Sequence, residues 1–221
     1  MLHFERSSAL KDLESWLDNV YASGGDHNRL KQLYDEWATD YDQQLWASGN
    51  PYIAIAAGFA GRHIHEFSAA ILDAGCGTGN MAQILNQIGY QNIDGLDPSE
   101  GMLEIARSKQ IYQDLHQLYL DTDIELPESS YDAIIAAGVL THGHAPPEAL
   151  DGMLKLLKVG GAIIFSLSEI AYTEFGFDKK MDELEAQNKW ILRDRSNLFR
   201  TYPFSEKEAH LRHWVYVFEK N

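Results

Sequence analysis

The segment that decides the fold is AILDAGCGTGN, residues 70–80. Its apolar first half has the length of a short buried strand, and its second half places glycine at every other position before a helical pattern that begins at Met81. Glycines in such a turn let backbone N–H groups approach a ligand and direct the positive end of the next helix toward it. The segment therefore predicts a strand, a ligand-binding turn and a helix, the unit from which nucleotide-binding parallel sheets are built.

The same alternation continues toward the carboxyl end of the chain. Helical patterns follow Ser99, which is placed to cap its helix, and Pro146-Pro147, whose helix is expected to stop at Gly160-Gly161. Apolar runs predict further strands at residues 92–96, 116–120, 133–137 and 162–167. Strands that alternate with helices require a parallel sheet covered on both faces.

The end of the chain has a different pattern. After a polar helix near residues 178–188, residues 190–202 and 211–219 both have strand character with no helix between them. Two such strands form an antiparallel hairpin. The predicted fold is therefore α/β, with a Rossmann-like seven-stranded sheet that is mostly parallel, ends in an antiparallel C-terminal hairpin and has helices on both faces.

Two amphipathic helical patterns, separated by a breaker at residues 23–26, occupy the start of the chain, and a third helix is predicted at residues 52–67. No repeat or linker divides the sequence, so we expect one domain, 1–221, with residues 1–45 as a helical cap on a core at 68–221. The second helix carries Tyr34, Trp37 and Tyr41. Two interpretations stay open for it, a lid that closes over a ligand or a permanently packed helix.

The composition restricts the class of protein. Of the 221 residues 45% are hydrophobic, but no run approaches the roughly 18 to 20 apolar residues of a membrane span, and the start lacks the pattern of a secretion signal. The formal net charge of -15 argues against nucleic-acid partners, whose phosphates are bound by clustered Lys and Arg. The single cysteine, Cys76, agrees with a reducing compartment. We therefore expect a cytoplasmic protein without membrane or nucleic-acid partners; its oligomeric state stays open.

Two carboxylates beside the glycine turn indicate the ligand. Asp73 ends the first strand, where it would repel a pyrophosphate but suits a ligand that carries an ammonium group and a sulfonium, as S-adenosylmethionine does. Asn80 stands where the dinucleotide fingerprint has its third glycine, which argues against NAD. Asp97 ends the second strand 22 residues beyond Gly75, the spacing at which an acidic residue receives the two ribose hydroxyls of a nucleoside.

Neighbouring residues supply further candidates. Pro98 and Met102 are expected to form an apolar wall against an adenine ring, although Met102 also lies on the core face of its helix. After the third strand, Asp121 is the candidate acceptor for the adenine amino hydrogens. Cys76 is interpreted as a small buried filler within the turn.

Four ordered motifs carry a resemblance to a known family. They are DAGCGTG at 73–79, GLDPSEGML at 95–103, LP at 126–127 before YD at 131–132, and LKVGG at 157–161. In this order they resemble the motifs of class I S-adenosylmethionine methyltransferases. With LYDEWATDYD at 33–42, the chain most resembles the methyltransferase-like proteins of the Williams-Beuren syndrome region, over roughly residues 30–170.

The resemblance implies S-adenosylmethionine as the cofactor and methyl transfer as the activity. It assigns Asp97 to the ribose and the turn to the methionine portion, and it places Tyr41 over the methionine end. The full set of expected cofactor contacts is Tyr41, Asp73, Gly75, Cys76, Gly77, Gly79, Asp97, Pro98, Met102, Asp121, Thr122 and Gly138, with Asp121 and Thr122 at the adenine edge.

Catalytic groups are harder to name, because aligning the nucleophile, methyl and sulfur supplies much of the acceleration and a base is needed only for a protonated acceptor. His142 and His144 follow the fourth strand, at the rim where open α/β sheets place ligands, and they are the candidate bases. The alternative is that each is a loop histidine in water. Their spacing has no third ligand nearby, so no metal site is predicted.

The sequence favours methyl transfer to a small-molecule acceptor, enclosed by the N-terminal helices and the loop after the fourth strand. Two alternatives remain: a protein methyltransferase that recruits a basic segment, and a cofactor-binding regulator without catalysis. The motifs do not separate them because they report cofactor binding only.

Overall fold

The computed structural model describes residues 2–141 and 143–221. Its helices are α1 (Leu2–Ala22), α2 (His27–Ser48), α3 (Tyr52–His63), α4 (Asn80–Ile88), α5 (Glu100–Ser108), α6 (Ala149–Leu156), α7 (Glu169–Glu174) and α8 (Phe177–Ala186). Its strands are β1 (Ile71–Ala74), β2 (Ile93–Leu96), β3 (Leu115–His116), β4 (Tyr131–Leu140), β5 (Leu157–Ser168), β6 (Trp190–Arg195), β7 (Phe199–Arg200) and β8 (Arg212–Lys220). None of these helices has the length and apolar content needed to cross a membrane.

The described strands form one sheet in the order β3-β2-β1-β4-β5-β8-β6, with β7 paired to β8 outside this path. β1 lies between β2 and β4, runs parallel to both, and is buried along its whole length. β8 runs antiparallel to β5 and β6. The predicted fold class is confirmed. The sheet has eight strands instead of seven because residues 199–200 form a short strand of their own.

The sheet is covered on both faces, as its buried central strands require. On one face Leu72 belongs to a core that includes Met153 of α6 and Leu184 of α8. On the other face Ile71 belongs to a core with α3 and with Met81 of α4. Successive residues of β1 therefore point into different cores, which is why the strand is apolar at adjacent positions rather than at alternate ones.

The N-terminal helices form a cap with its own apolar cluster. Leu13 and Leu17 of α1 pack with Leu30 and Trp37 of α2. Asp26 caps α2 by accepting from the N–H of Arg29, and α2 continues to Ser48 before Gly49 ends it with a φ of +73°. The helix therefore extends beyond residue 45, where the cap was expected to end.

Two predicted boundaries are wrong because strand pairing decides them. The third strand was expected at 116–120, but β3 covers only Leu115–His116, since its partner β2 ends at Leu96. The sixth helix was expected to run to Gly160-Gly161, but it ends at Leu156 and Leu157 already pairs with β4. Gly160 then lies inside β5 with a φ of +78°.

Candidate functional site

The glycine turn connects β1 to α4 at the carboxyl edge of the sheet. The N–H groups of Gly75 and Cys76 both donate to the carbonyl of Leu96, with N–O distances of 2.7 and 2.9 Å. Gly75 has a φ of +74°, and a Cβ there would lie 2.2 Å from Cγ2 of Val139. A Cβ on Gly77 would meet nothing within 4 Å. The turn is therefore pinned to β2 at its start and faces open space at Gly77.

Asp97 lies where β2 ends and supports two loops. Its Oδ2 accepts from the N–H of Gly77 and its Oδ1 from the N–H of Ser99, each at 2.9 Å. Burial raises the pKa of Asp97 to about 6; the two N–H groups lower it and the charge of Asp35 raises it. The carboxylate keeps further lone pairs for a ligand that carries hydroxyl groups.

Asp73 is buried beneath the turn. Its Oδ2 accepts from the hydroxyl of Tyr112 at 2.7 Å. Burial raises the pKa of Asp73 to about 7, although the hydrogen bond from Tyr112 lowers it. Asp73, Cys76 and Tyr41 line a small cavity next to the turn. The structure therefore places Asp73 beside the glycines, but not among the residues that line the larger cavity next to this one.

This larger cavity, called the cofactor cavity below, opens at the carboxyl edge of β1, β2 and β4. It brings together the following residues that the sequence selects: Tyr41, Gly75, Gly77, Asp97, Pro98, Met102, Gly138 and His144. Sequence reasoning missed Tyr119 and Leu120, which lie on the loop after β3 and also line this cavity. These two residues had been predicted as part of a strand, so the sequence did not indicate that they line the cavity.

The other predicted residues lie outside the walls of the cofactor cavity. Gly79 is the N-cap of α4, with a φ of +89°. Asp121 and Thr122 follow the lining residue Leu120, but Asp121 is exposed and accepts from the N–H of Thr122 at 2.7 Å. Their assignment to the adenine edge stays a prediction. His142 lies outside the described residues, so its role stays a prediction as well.

Gly138 forms an irregularity in β4, whose pairing with β5 shifts register between Ala136 and Leu140. Its N–H donates to Oγ of Ser166 at 2.7 Å, and its φ is +84°. A Cβ on Gly138 would lie 2.7 Å from the hydroxyl oxygen of Tyr52. Glycine is therefore required at this position, because the backbone is left-handed and because a Cβ would have no room.

Two carboxylates of α2 contact the loops of the cofactor cavity. The first is Asp35, whose Oδ1 accepts from the hydroxyl of Ser99 at 2.7 Å and from the N–H of Gly101 at 2.9 Å. Its Oδ2 pairs with Lys31 at 2.7 Å. A Cβ on Gly101 would lie 2.8 Å from the backbone of Asp35. Helix α2 thus approaches the start of α5 as closely as a glycine permits.

The second is Asp42, which contacts side chains at the start of α4. Its Oδ1 accepts from Nδ2 of Asn80 at 2.7 Å and from the hydroxyl of Thr78, and its Oδ2 pairs with Nζ of Lys109 at 2.9 Å. A carboxylate is favourable at a helix N-terminus because of the unpaired N–H groups and the helix dipole. Sequence reasoning missed both acids. Their spacing of seven, which puts Asp35 and Asp42 on one face of α2, was the available signal.

A second cavity, called the acceptor chamber below, adjoins the cofactor cavity. Tyr34, Tyr41, Gly138 and His144 line both. The chamber comprises about 1180 Å³, including space open to solvent. Its remaining polar and aromatic walls include Tyr21, Trp37, Tyr52, Thr141, Ser168, Glu174, Phe175, Thr201, Tyr202, His210 and His213. These residues come from segments far apart in the sequence, so no local pattern predicts the chamber.

Tyr34 and His144 form a hydrogen-bonded pair at the boundary between the two cavities. The hydroxyl oxygen of Tyr34 lies 2.7 Å from Nε2 of His144, and the rings meet edge to face at 5.6 Å. Burial raises the pKa of Tyr34 far above its usual value, so the hydroxyl is protonated at neutral pH. When Nδ1 carries the ring proton, Tyr34 donates to Nε2. The structure thus places the predicted base His144 at the site, together with a partner that the sequence did not connect to it.

The residues that line the cofactor cavity fit the hydroxyl groups and the apolar ring of S-adenosylmethionine. Asp97 presents carboxylate oxygens, which are acceptors for ribose hydroxyls. Pro98 and Met102 form an apolar wall, and the open face of Gly77 leaves space for a ligand against the backbone. These features lie within one connected surface.

Comparison with known proteins shows which proteins the chain resembles. A family profile described as a methyltransferase domain matches residues 72–165. The human methyltransferase-like protein 27 is 33% identical over 165 residues, which cover 72% of this chain and 66% of that protein. A demethylmenaquinone methyltransferase from Clavibacter sepedonicus is 29% identical over 161 residues, 69% of this chain and 64% of that protein. The chain therefore spans somewhat less than two thirds of the length of these relatives.

The fold also matches solved structures. The crystal structure of magnesium protoporphyrin IX methyltransferase from Synechocystis PCC 6803, with bound S-adenosylmethionine, superposes with a TM-score of 0.61 over 82% of this chain and 83% of that one, at 16% identity. At this identity the likeness shows the fold alone. The methyltransferase profile, together with the S-adenosylmethionine bound in that structure, indicates S-adenosylmethionine as the cofactor. In sequence and fold the chain is similar to S-adenosylmethionine-dependent methyltransferases.

Proposed function

We propose that this protein transfers a methyl group from S-adenosylmethionine to a small-molecule acceptor held in the acceptor chamber. The observation that carries the proposal is the shared wall of Tyr34, Tyr41, Gly138 and His144, which lines both cavities. Methyl transfer requires the nucleophile and the methyl carbon to meet in line. Two adjoining cavities with a common boundary supply that arrangement.

In this proposal the chain binds the cofactor through the residues around the glycine turn. Asp97 receives the ribose hydroxyls, and Pro98 and Met102 pack against the adenine. Gly77 lets the backbone approach the methionine portion. Asp73 acts from beneath the turn, where a buried carboxylate supplies a negative potential that favours the ammonium and sulfonium groups.

When bound, the cofactor supplies a methyl carbon made electrophilic by a positively charged sulfur. The protein aligns the acceptor, excludes water and accepts a proton where the acceptor loses one. We assign the last role to Tyr34 and His144. The acceptor proton passes to the hydroxyl oxygen of Tyr34 while the hydroxyl proton passes to Nε2 of His144, along their 2.7 Å hydrogen bond.

The shape of the acceptor chamber supports a small acceptor over a protein side chain. Leu17 and Val20 of α1 and Trp37 of α2 line it and are buried. Tyr202, in the segment that precedes β8, lines it from another side. A protein segment would have to displace these packed residues in order to bring a side chain to His144.

Incubation of the protein with methyl-labelled S-adenosylmethionine and a metabolite extract tests the proposal. Label should enter low-mass products, and Asp97→Asn should abolish the transfer. Asp123→Asn, at an exposed carboxylate that lines neither cavity, is the matched control and should leave the transfer unchanged. S-adenosylmethionine and S-adenosylhomocysteine should raise the melting temperature, whereas NAD should not.

The other outcomes of this experiment are distinct. A parallel incubation with a protein extract tests the first alternative, and label in those proteins would favour the protein methyltransferase. Cofactor binding without any labelled product would favour the regulator. Stabilisation by NAD in place of S-adenosylhomocysteine would overturn the cofactor assignment.

A further inference from the structure

We propose that the acceptor is an amine, which enters the acceptor chamber as its ammonium form; this inference rests on the proposed function above. It follows from the charges and rings that surround the chamber. Neither the family nor the cofactor cavity determines which atom is methylated, so the evidence must come from the chamber itself.

The first observation is the absence of a positive side chain that could hold an anion. Among the described residues that line the chamber, none is Lys or Arg. Three histidines line it, His144, His210 and His213. Nδ1 of His213 lies 2.6 Å from the hydroxyl oxygen of Thr201, and burial lowers the pKa of His213 to about 4, so this imidazole is neutral at pH 7. A carboxylate or phosphate acceptor would therefore lose its hydration without gaining a lysine or arginine partner from these residues.

The second observation is a buried carboxylate behind the wall of the chamber. Glu208 is buried, with 1% of its surface exposed, and its Oε2 accepts from the hydroxyl of Tyr21 at 3.3 Å. Tyr21 lines the chamber, so the hydroxyl group of Tyr21 connects Glu208 to the chamber wall. Lys207 pairs with Asp18, and the charges of His210 and Lys207 lower the pKa of Glu208, which burial raises. No ion pair is formed by Glu208 itself among the described residues, so a cation in the chamber would add to this partial compensation.

Glu174 adds a second negative group on the wall of the chamber. It lies at the end of α7, and its side chain is exposed, so it faces the route between the chamber and solvent. Both acidic groups therefore favour an ammonium over a neutral hydroxyl group of the same size.

The third observation is the concentration of electron-rich rings. Tyrosines from α1, α2, α3 and the segment before β8 line the chamber: Tyr21, Tyr34, Tyr41, Tyr52 and Tyr202. The hydroxyl of Tyr41 donates to that of Tyr52, and burial raises the pKa of Tyr52 to about 12. These phenols stay neutral, and their ring faces attract a desolvated cation.

The transfer step balances with these groups. The ammonium proton passes through Tyr34 to His144, which becomes an imidazolium ion, and the amine recovers its lone pair. The nitrogen forms a bond with the methyl carbon as the carbon–sulfur bond breaks, and that electron pair stays on sulfur. The products are the methylated ammonium ion and the neutral thioether; the proton on His144 returns to solvent.

A binding experiment with non-reactive probes tests the acceptor class without relying on activity. Choline carries a quaternary ammonium that cannot accept a methyl group at nitrogen, 3,3-dimethylbutan-1-ol is its neutral carbon isostere, and 3,3-dimethylbutanoate is an anion of similar shape. Each is titrated calorimetrically into the protein saturated with S-adenosylhomocysteine. Choline should bind at least about tenfold more tightly than the neutral isostere, the difference expected for a cation against aromatic faces with a carboxylate nearby.

Charge variants locate the effect. Glu208→Gln and, independently, Glu174→Gln should reduce the preference for choline, whereas Glu206→Gln, at an exposed position two residues from Glu208, should leave it unchanged. The second variant keeps the test valid if Glu208→Gln destabilises the fold. Equal or tighter binding of the neutral isostere or of the anion would overturn the proposal, and so would binding of none of the probes. Failure of S-adenosylhomocysteine itself to bind would overturn the proposed function, a result that the same titrations report separately.

Discussion

Acidification should weaken cofactor binding, because Asp97 must be ionised to receive the ribose hydroxyls. In the ligand-free protein burial raises the pKa of Asp97 to about 6. Above that pH the carboxylate is charged and both its oxygens are acceptors. Below it the cofactor must bind to a protonated carboxyl group or displace the proton. Affinity is therefore full near pH 8 and falls as the pH drops through about 6.

The size of the effect follows from the same pKa. At pH 5, one unit below it, about ten molecules carry a protonated Asp97 for each one that is ionised, so the observed affinity for S-adenosylhomocysteine should fall by about tenfold. S-adenosylmethionine should lose more. Beyond the contribution of Asp97, both ligands carry an ammonium group that favours ionised Asp73, whose pKa is about 7, and the sulfonium of S-adenosylmethionine adds to this preference. The affinity for S-adenosylmethionine should therefore decline more between pH 7 and 6 than that for S-adenosylhomocysteine.

Calorimetric titrations of both ligands from pH 8 to pH 5 provide the measurement. Repeating them in buffers with different ionisation enthalpies counts the protons released on binding. Asp97→Asn should bind more weakly at pH 8 and lose the step near pH 6, whereas Asp123→Asn should titrate like the unaltered protein. An affinity that stays constant from pH 8 to pH 5, with no proton release, would refute this account of Asp97.

Three further predictions concern the architecture around the site. Asp42→Ala removes the acceptor for Asn80 and Lys109 and should lower the free energy of unfolding by about 1 to 3 kcal/mol in urea denaturation; an unchanged midpoint would show that the contact is not stabilising. Gly138→Ala places a Cβ against Tyr52 on a residue with left-handed backbone, and it should lower the free energy of unfolding by about 2 to 4 kcal/mol. It should also reduce methyl transfer, and an unchanged free energy of unfolding would contradict the close approach. In hydrogen exchange, S-adenosylhomocysteine should add protection mainly to the first turns of α2, residues 27–34, and little around Asp42; a uniform gain across residues 28–46 would show that the whole helix opens.

The parts of the site that depend on one short segment could be predicted from the sequence. The glycine turn follows from the local alternation of strand, glycine and helix patterns. Ser99 caps α5 by accepting from the N–H of Met102, as its position before the helix indicates. Asp97 was found by spacing, because β1 and β2 are adjacent parallel strands in the register Ala74 to Leu96 and their ends meet.

The parts that depend on distant segments could not be predicted in this way. Tyr112 contacts Asp73 across 39 residues, and Tyr34 contacts His144 across 110. The sequence marks these side chains as aromatic or basic, but only the packing of α2 on the sheet brings them together. Sequence reasoning missed Asp35 and Asp42 for a related reason. An acid on an amphipathic helix is ordinarily solvated, and only the fold shows that these two lie at the N-termini of other helices.

Those two acids also bear on whether the cap is a lid. Opening α2 as a whole would break the contacts of Asp42 with Thr78, Asn80 and Lys109 together, at the same cost of about 1 to 3 kcal/mol that is expected for Asp42→Ala. The other end of the helix is held more weakly where it borders the cofactor cavity, since His27 stacks on the half-exposed ring of Tyr119 at 5.4 Å. Opening should therefore begin at His27 and stop before Asp42. We therefore expect the permanently packed interpretation to hold for the end of α2 that contacts the glycine turn, and the lid interpretation for the end that borders the cofactor cavity.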